Sequence, residues 1–181
     1  MGWSLSRIED FNNKYSNAKI EHAIAIDEKG KILLEKVGKK NKIIYTEKEF
    51  NILKNSAVNI HNHPSGSPFS AQDLGLLGEM KKGMSYRVVG TEYEYIITVP
   101  KKGLLPNTNQ EIFKSYNSIK ESLHDKYMNM FFTERRTLMS SGIDEKIANK
   151  MATRKVGQIH GNEAMEIFAK KYKISYQRIK R

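Results

Sequence analysis

The sequence predicts an α/β fold: a mixed β-sheet flanked by helices, followed by a basic helical C-terminal region. Three observations lead there. Two alternating apolar runs, residues 20–26 and 31–37, flank the turn Glu28-Lys29-Gly30, which marks a β-hairpin. A third apolar run, residues 57–60, and a second strand pair, residues 86–90 and 93–99, are set apart by stretches of helical period. Beyond residue 109 the periodicity is helical and the charge strongly basic.

Taken in order, Ser4 or Ser6 can cap a first helix through Tyr15, with Leu5, Ile8, Phe11 and Tyr15 on one face. The hairpin follows, with Gly30 where a positive φ is needed. A polar loop over 38–42 leads to Ile43-Ile44-Tyr45, a third short strand. Thr46-Glu47-Lys48-Glu49 is a capping box opening a helix to Asn55, and Phe50 and Leu53 face inward. A strand ends at His61. Ser70 opens a helix to Lys82, closed by Gly83, and two strands joined at Gly90-Thr91-Glu92 complete the sheet.

The organisation expected is a domain over 1–100 with its N-terminal helix, a linker over 101–108, and a basic helical extension over 109–181. Within the extension, Ile112, Tyr116, Ile119, Leu123, Tyr127 and Met130 form one stripe, which predicts a single helix over 109–135. Two shorter helices over 144–155 and 162–172 follow. The last eight residues alternate apolar and basic and read as a strand or an extended arm.

With 181 residues the chain can bury a real core. No run approaches the ~18 apolar residues of a membrane helix, so no membrane partner is expected. The N-terminus lacks the order of a signal peptide. It matches the short Met-Gly-x-x-x-Ser/Thr pattern of myristoylation, which is too common to carry weight. There is no cysteine, which excludes disulfides and thiolate metal sites and fits a cytoplasmic protein. Lys and Arg exceed Asp and Glu by two over residues 1–100 and by nine over 101–181. The basic excess of the C-terminal part makes nucleic acid a candidate partner through residues 101–181.

The chemistry concentrates in residues 61–73, His61-Asn62-His63-Pro64-Ser65-Gly66-Ser67-Pro68-Phe69-Ser70-Ala71-Gln72-Asp73. Histidines two apart on an extended backbone project to the same side. Pro64, Gly66 and Pro68 force the chain to turn, and Ser70-x-x-Asp73 is a capping box that points Asp73 back toward the loop. Two imidazoles and one carboxylate are the ligand count of a catalytic zinc site, which keeps a position open. Capping alone would also explain Ser70 and Asp73.

This segment resembles the metal motif of the JAB/MPN (JAMM) domain, His-x-His followed by Ser-x-x-Asp. Its His-Asn-His-Pro-Ser-Gly wording is similar to the RadC-like branch, and its Phe-Ser-x-x-Asp to JAB-like domains of phage and mobile-element proteins. The resemblance covers about residues 20–98, and the six residues between His63 and Ser70 are one fewer than the family pattern has. It implies a JAB/MPN-like, deaminase-like three-layer fold and a zinc-dependent hydrolase, a metallopeptidase or isopeptidase cutting a protein or ubiquitin-like substrate. It also implies metal ligands His61, His63 and Asp73, a glutamate base and an oxyanion-stabilising Ser70. Glu35, a carboxylate within Ile32-Leu33-Leu34-Glu35, is the expected base, whereas Glu21, Glu28, Glu47 and Glu49 read as surface or capping residues. Asn62 and Ser65 are candidates to orient the imidazoles. The alternative is a non-catalytic accessory module of a phage or mobile-element assembly, its basic tail docking on nucleic acid or a protein.

Overall fold

The computed structural model describes residues 2–100, 105–106 and 108–181. Most of the expected linker, including Lys101, Lys102 and Gly103, lies outside the described residues. The chain runs α1 (Gly2–Tyr15), β1 (His22–Ile26), β2 (Ile32–Val37), α2 (Glu47–Asn55), β3 (Val58–Asn62) and α3 (Ala71–Gly75) with a 3₁₀ turn at Leu77–Glu79. It continues through β4 (Ser85–Val89), β5 (Tyr93–Thr98), α4 (Asn109–Ser122), α5 (His124–Ser140), α6 (Glu145–Tyr172) and β6 (Ser175–Lys180).

The strands form one mixed sheet in the order β2-β1-β3-β4-β5-β6. Among the described residues only β3 and β4 run parallel, because the α3 segment carries the chain across between them. Side chains alternate, so each face gathers its own core. On one face Ile8 and Phe11 of α1 cover Ile24, Ile26, Val58, Ile60 and Val89. On the other, Val88, Tyr86, Tyr95 and Ile97 are buried under Leu74, Ile112, Tyr116, Met165 and Phe168. The result is three layers, with α1 on one side and α3, α4 and α6 on the other. β3, buried along its whole length, lies between.

Several expectations are corrected. The α1 helix begins at Gly2, upstream of the Ser4 or Ser6 cap. The segment Ile43-Ile44-Tyr45 is irregular rather than a strand. The helix opened by Ser70 ends at Gly75, giving way to the 3₁₀ turn. The helix expected over 109–135 breaks at Leu123 into α4 and α5. Conversely, the two helices expected at the end are one, the 28-residue α6. Residues 109–181, read from sequence as an extension, share the sheet and core of residues 1–100. The β6 strand pairs antiparallel with β5 from Tyr93↔Lys180 to Thr98↔Ser175, while α4 and α6 supply Ile112, Tyr116, Met165 and Phe168 to the larger core.

Two glycines let this packing reach the loop after β3. A Cβ on Gly161 of α6 would lie 2.7 Å from Pro68 Cγ, and one on Gly90 would lie 2.7 Å from Gly66 Cα. Alanine in an exposed helix normally stabilises by about 1 kcal/mol relative to glycine. At Gly161 the sign is expected to reverse. Gly161→Ala and Gly90→Ala should each lower stability by about 1–3 kcal/mol, as overpacking does, measurable as a shift in the urea midpoint.

Candidate metal centre

The site begins at the end of β3. His61 pairs with Ala23 of β1 and Val88 of β4, and its ring enters the face covered by α3. His63 extends the strand by one more ladder bond, its N–H donating to Val89 O at 2.9 Å, so its ring falls on the same face. The loop that turns away is clamped by two buried tyrosines. Tyr95 donates to Gly66 O at 3.2 Å and Tyr116 to Phe69 O at 3.3 Å. Ser70 then caps α3 and places Asp73 beneath both rings.

The three expected ligands converge. His61 Nε2 and His63 Nε2 are 3.1 Å apart. Asp73 Oδ1 is 3.3 Å from His61 Nε2, and Asp73 Oδ2 is 3.5 Å from His63 Nε2. A tetrahedral ion with bonds of 2.0–2.2 Å has ligand–ligand edges of about 3.3–3.6 Å. The two Asp73 distances fall in that range and the His61–His63 distance just below it, so the donor set fits zinc in chemistry and closely in spacing. His63 Nδ1 lies 3.0 Å from Ser67 O and 3.1 Å from Pro68 O. Carbonyls only accept, so Nδ1 carries the proton and Nε2 presents its lone pair to the centre. These carbonyls, not Asn62 or Ser65, orient the ring. Asn62 projects to the opposite face, donating to Ile20 O and accepting from His22 N–H, while Ser65 bonds Ser67.

Ser70 is committed locally. Its hydroxyl donates to Asp73 Oδ2 at 2.7 Å and accepts from Asp73 N–H at 3.2 Å. The proton required of an oxyanion donor therefore rests on the ligand carboxylate. Tyr86 adds a longer bond to Asp73 Oδ1, 3.4 Å.

Burial lowers the pKa of His61. Burial also opposes charge on His63, but the Asp73 carboxylate and Glu21 outweigh it and raise its pKa. For Asp73, burial is likewise overcome by the two imidazoles, which hold the carboxyl well below its usual range. The centre is thus an anion held between rings whose lone pairs protons and a metal would compete for, and metal affinity should fall as the pH is lowered.

The centre floors a cleft of about 880 Å³, walled on one side by Lys40, Lys42 and Tyr45 and on the other by the metal loop. Glu35 is not part of it. Glu35 pairs with Ile24, which pairs with Ile60, one residue out of step with the Lys36–Ala23–His61 row. Its side chain therefore lies on the opposite face of the sheet, where Tyr15 OH donates to it at 3.2 Å. The carboxylate that lines the cleft is Glu21, two residues before Ala23 and on the same face. Glu21 is 7 % exposed, and burial pushes its pKa up to about 7 while His63 pulls it partly back. Tyr45 also faces the cleft, its phenol kept neutral by burial and by the charges of Asp73, Glu21 and Glu49.

Comparisons of the chain with protein-family models, with curated proteins and with solved structures return no match. The likeness to the JAB/MPN motif therefore rests on the sequence of residues 61–73 alone.

Glu21 has a consequence for stability in the metal-free protein. Its folded pKa, about 7, exceeds the 4.5 of a free glutamate. The native state binds the proton more tightly, so this contribution is full below pH 4.5 and lost as the pH rises toward 7. Glu21→Gln should leave metal-free stability unchanged near pH 4.5 and raise it at pH 8. After screening by cleft water the gain should be about 1–2 kcal/mol. Urea unfolding at the two pH values measures it.

Proposed function

We propose that the chain is a metal-dependent hydrolase of amide bonds, a peptidase or isopeptidase with zinc as the fitting ion. The observation that carries this reading is the joint placement of a three-ligand centre and a buried carboxylate of raised pKa in one cleft. Bound there, the ion would lower the pKa of water and polarise a substrate carbonyl. Glu21 takes the proton from the attacking water, a role that suits a pKa near neutrality. Asp73 and His63 are held in register by the Ser70 cap and by the Ser67 and Pro68 carbonyls. With Ser70 engaged, Tyr45 is one of the uncharged donors of the cleft available to a carbonyl oxygen.

The substrate on this reading is a protein or ubiquitin-like tail. A cytoplasmic setting accords with the absence of cysteine, and no helix among the described residues is long and apolar enough to cross a membrane. The engagement of Ser70 with Asp73 favours one second reading, a non-catalytic JAB-like accessory module of a phage or mobile-element assembly.

Zinc-loaded protein incubated with a proteome-derived peptide library separates the two. New peptide termini, seen by mass spectrometry and absent with Glu21→Gln at equal zinc content, are expected. A zinc-replete wild type that produces none would leave the module.

A further inference from the structure

One end of the sheet carries an unbalanced charge. Strand pairing brings the start of β1, the ends of β2, β3 and β4, the start of β5 and the end of β6 to a single rim. At one side of the rim the turn after β2 presents Lys39, Lys40 and Lys42, all exposed. That turn is fixed by backbone bonds, Gly38 N–H to Glu21 O at 2.7 Å and Glu21 N–H to Lys39 O at 2.9 Å. At the other side, three arginines converge on four consecutive residues. Arg154 donates to Thr91 Oγ1, Arg178 lies 4.0 Å over the Tyr93 ring, and Arg181 reaches Gly90 O. Lys180 stands opposite Tyr93 in the β5–β6 register.

None of these seven cations has an ion-pair partner among the described residues. Within 38–42, 90–93 and 175–181 the only acid is Glu92, while Glu94 at the start of β5 is paired with Arg87 and Glu21 and Asp73 lie in the cleft between the flanks. At the opposite end of the sheet charges are mixed. There Asp27 and Glu28 accompany Lys29, Lys31 and Lys81, and Glu28 pairs with Lys81 at 2.7 Å. The asymmetry therefore belongs to the end that holds the metal triad, which lies on β3 between the two basic flanks.

We propose that this rim binds a single strand of nucleic acid, laid across the strand ends over the metal loop. Five strand spacings make the rim about 24 Å wide, so only a ligand with charge repeated along its length engages both flanks. Tyr93 with the Arg178 guanidinium supplies a flat surface for a base, the aromatic element that accompanies cations in strand-binding grooves. The floor between the flanks is a cleft, and a flexible strand follows such a surface where a rigid duplex bridges it. The inference goes beyond the hydrolase reading and does not rest on it.

The test uses the metal-stripped full chain and labelled oligo(dT) and oligo(U), followed by fluorescence anisotropy. Binding is expected at low salt, weakening by about 0.7 in the log–log slope for each phosphate neutralised. Lys40→Ala/Lys42→Ala and Arg154→Ala/Arg178→Ala should each weaken it about tenfold or more at low salt and reduce the slope by roughly 1.4. Lys29→Ala/Lys31→Ala, at the opposite end, should change nothing, and the use of metal-stripped protein keeps this result separate from the fate of the metal centre. The proposal is overturned by absence of binding at low salt, by a loss confined to one flank, or by an equal loss in the Lys29/Lys31 control. Displacement by polyglutamate as effective as by oligonucleotide would also overturn it, assigning the rim to acidic proteins.

Discussion

Replacing His63 with alanine or Asp73 with asparagine is expected to remove zinc from the purified protein. Wild type should carry about one ion per chain, and each variant should lose affinity by more than the roughly 100-fold that follows loss of an outer-shell partner alone. Two donors cannot complete the three-ligand set that leaves one position open. The distances already lie close to the edges of such a set, so little rearrangement is needed on binding. Asp73→Asn retains the shape of the Ser70 cap and isolates the loss of charge. Inductively coupled plasma mass spectrometry gives the content, and circular dichroism checks that α3 and the sheet persist.

Glu21→Gln should keep the metal and lower kcat by about 10²–10⁴, the scale of losing a positioned general base. Glu35→Gln should stay within about twofold of wild type. The difference follows from strand register. Glu21 shares the face of Ala23 and His61, whereas Glu35 shares the face of Ile24 and Ile60. Both variants are to be assayed on a peptide cut by the zinc-loaded wild type. Comparable losses in both would contradict the assignment of faces.

The convergence of His61, His63 and Asp73 was legible because it is local. Two histidines at a strand end, a proline–glycine turn and a capping box are fixed by neighbours within thirteen residues. Which carboxylate lines the cleft was not, because that depends on pairing between strands. Glu35 lies among Ile32, Leu33 and Leu34, and that apolar company suggested a buried carboxylate. But β2 is an edge strand, and Ile32 and Leu33 are themselves exposed. Glu21 falls at a polar position of the alternating run 20–26, which reads as a solvent-facing one. The available clue was the hairpin turn at Gly30, which sets the register of β1 against β2 and puts Glu35 opposite Ile24. Because β1 is apolar on both faces, alternation alone left open which face held the histidines.

Fold class was readable from periodicity, and its three layers follow from the alternation of Ile24 and Ile60 against Val88 and Tyr95. Helix boundaries in the C-terminal part were less so. The two helices expected over 144–155 and 162–172 run on as one through Gly157 and Gly161, and at Gly161 Pro68 of the metal loop packs where a side chain would stand. Leu123 fits the apolar stripe but marks the bend between α4 and α5. The final alternating residues fitted a strand or an arm equally until β5 offered an edge.

The most direct test of the metal centre is a crystal structure of the zinc-loaded protein with anomalous data collected at the zinc edge. One peak is expected, about 2.0–2.2 Å from His61 Nε2, His63 Nε2 and an Asp73 carboxylate oxygen, with solvent at the remaining position facing Glu21. A peak elsewhere, or a fourth protein ligand closing the ion off from the cleft, would contradict the account.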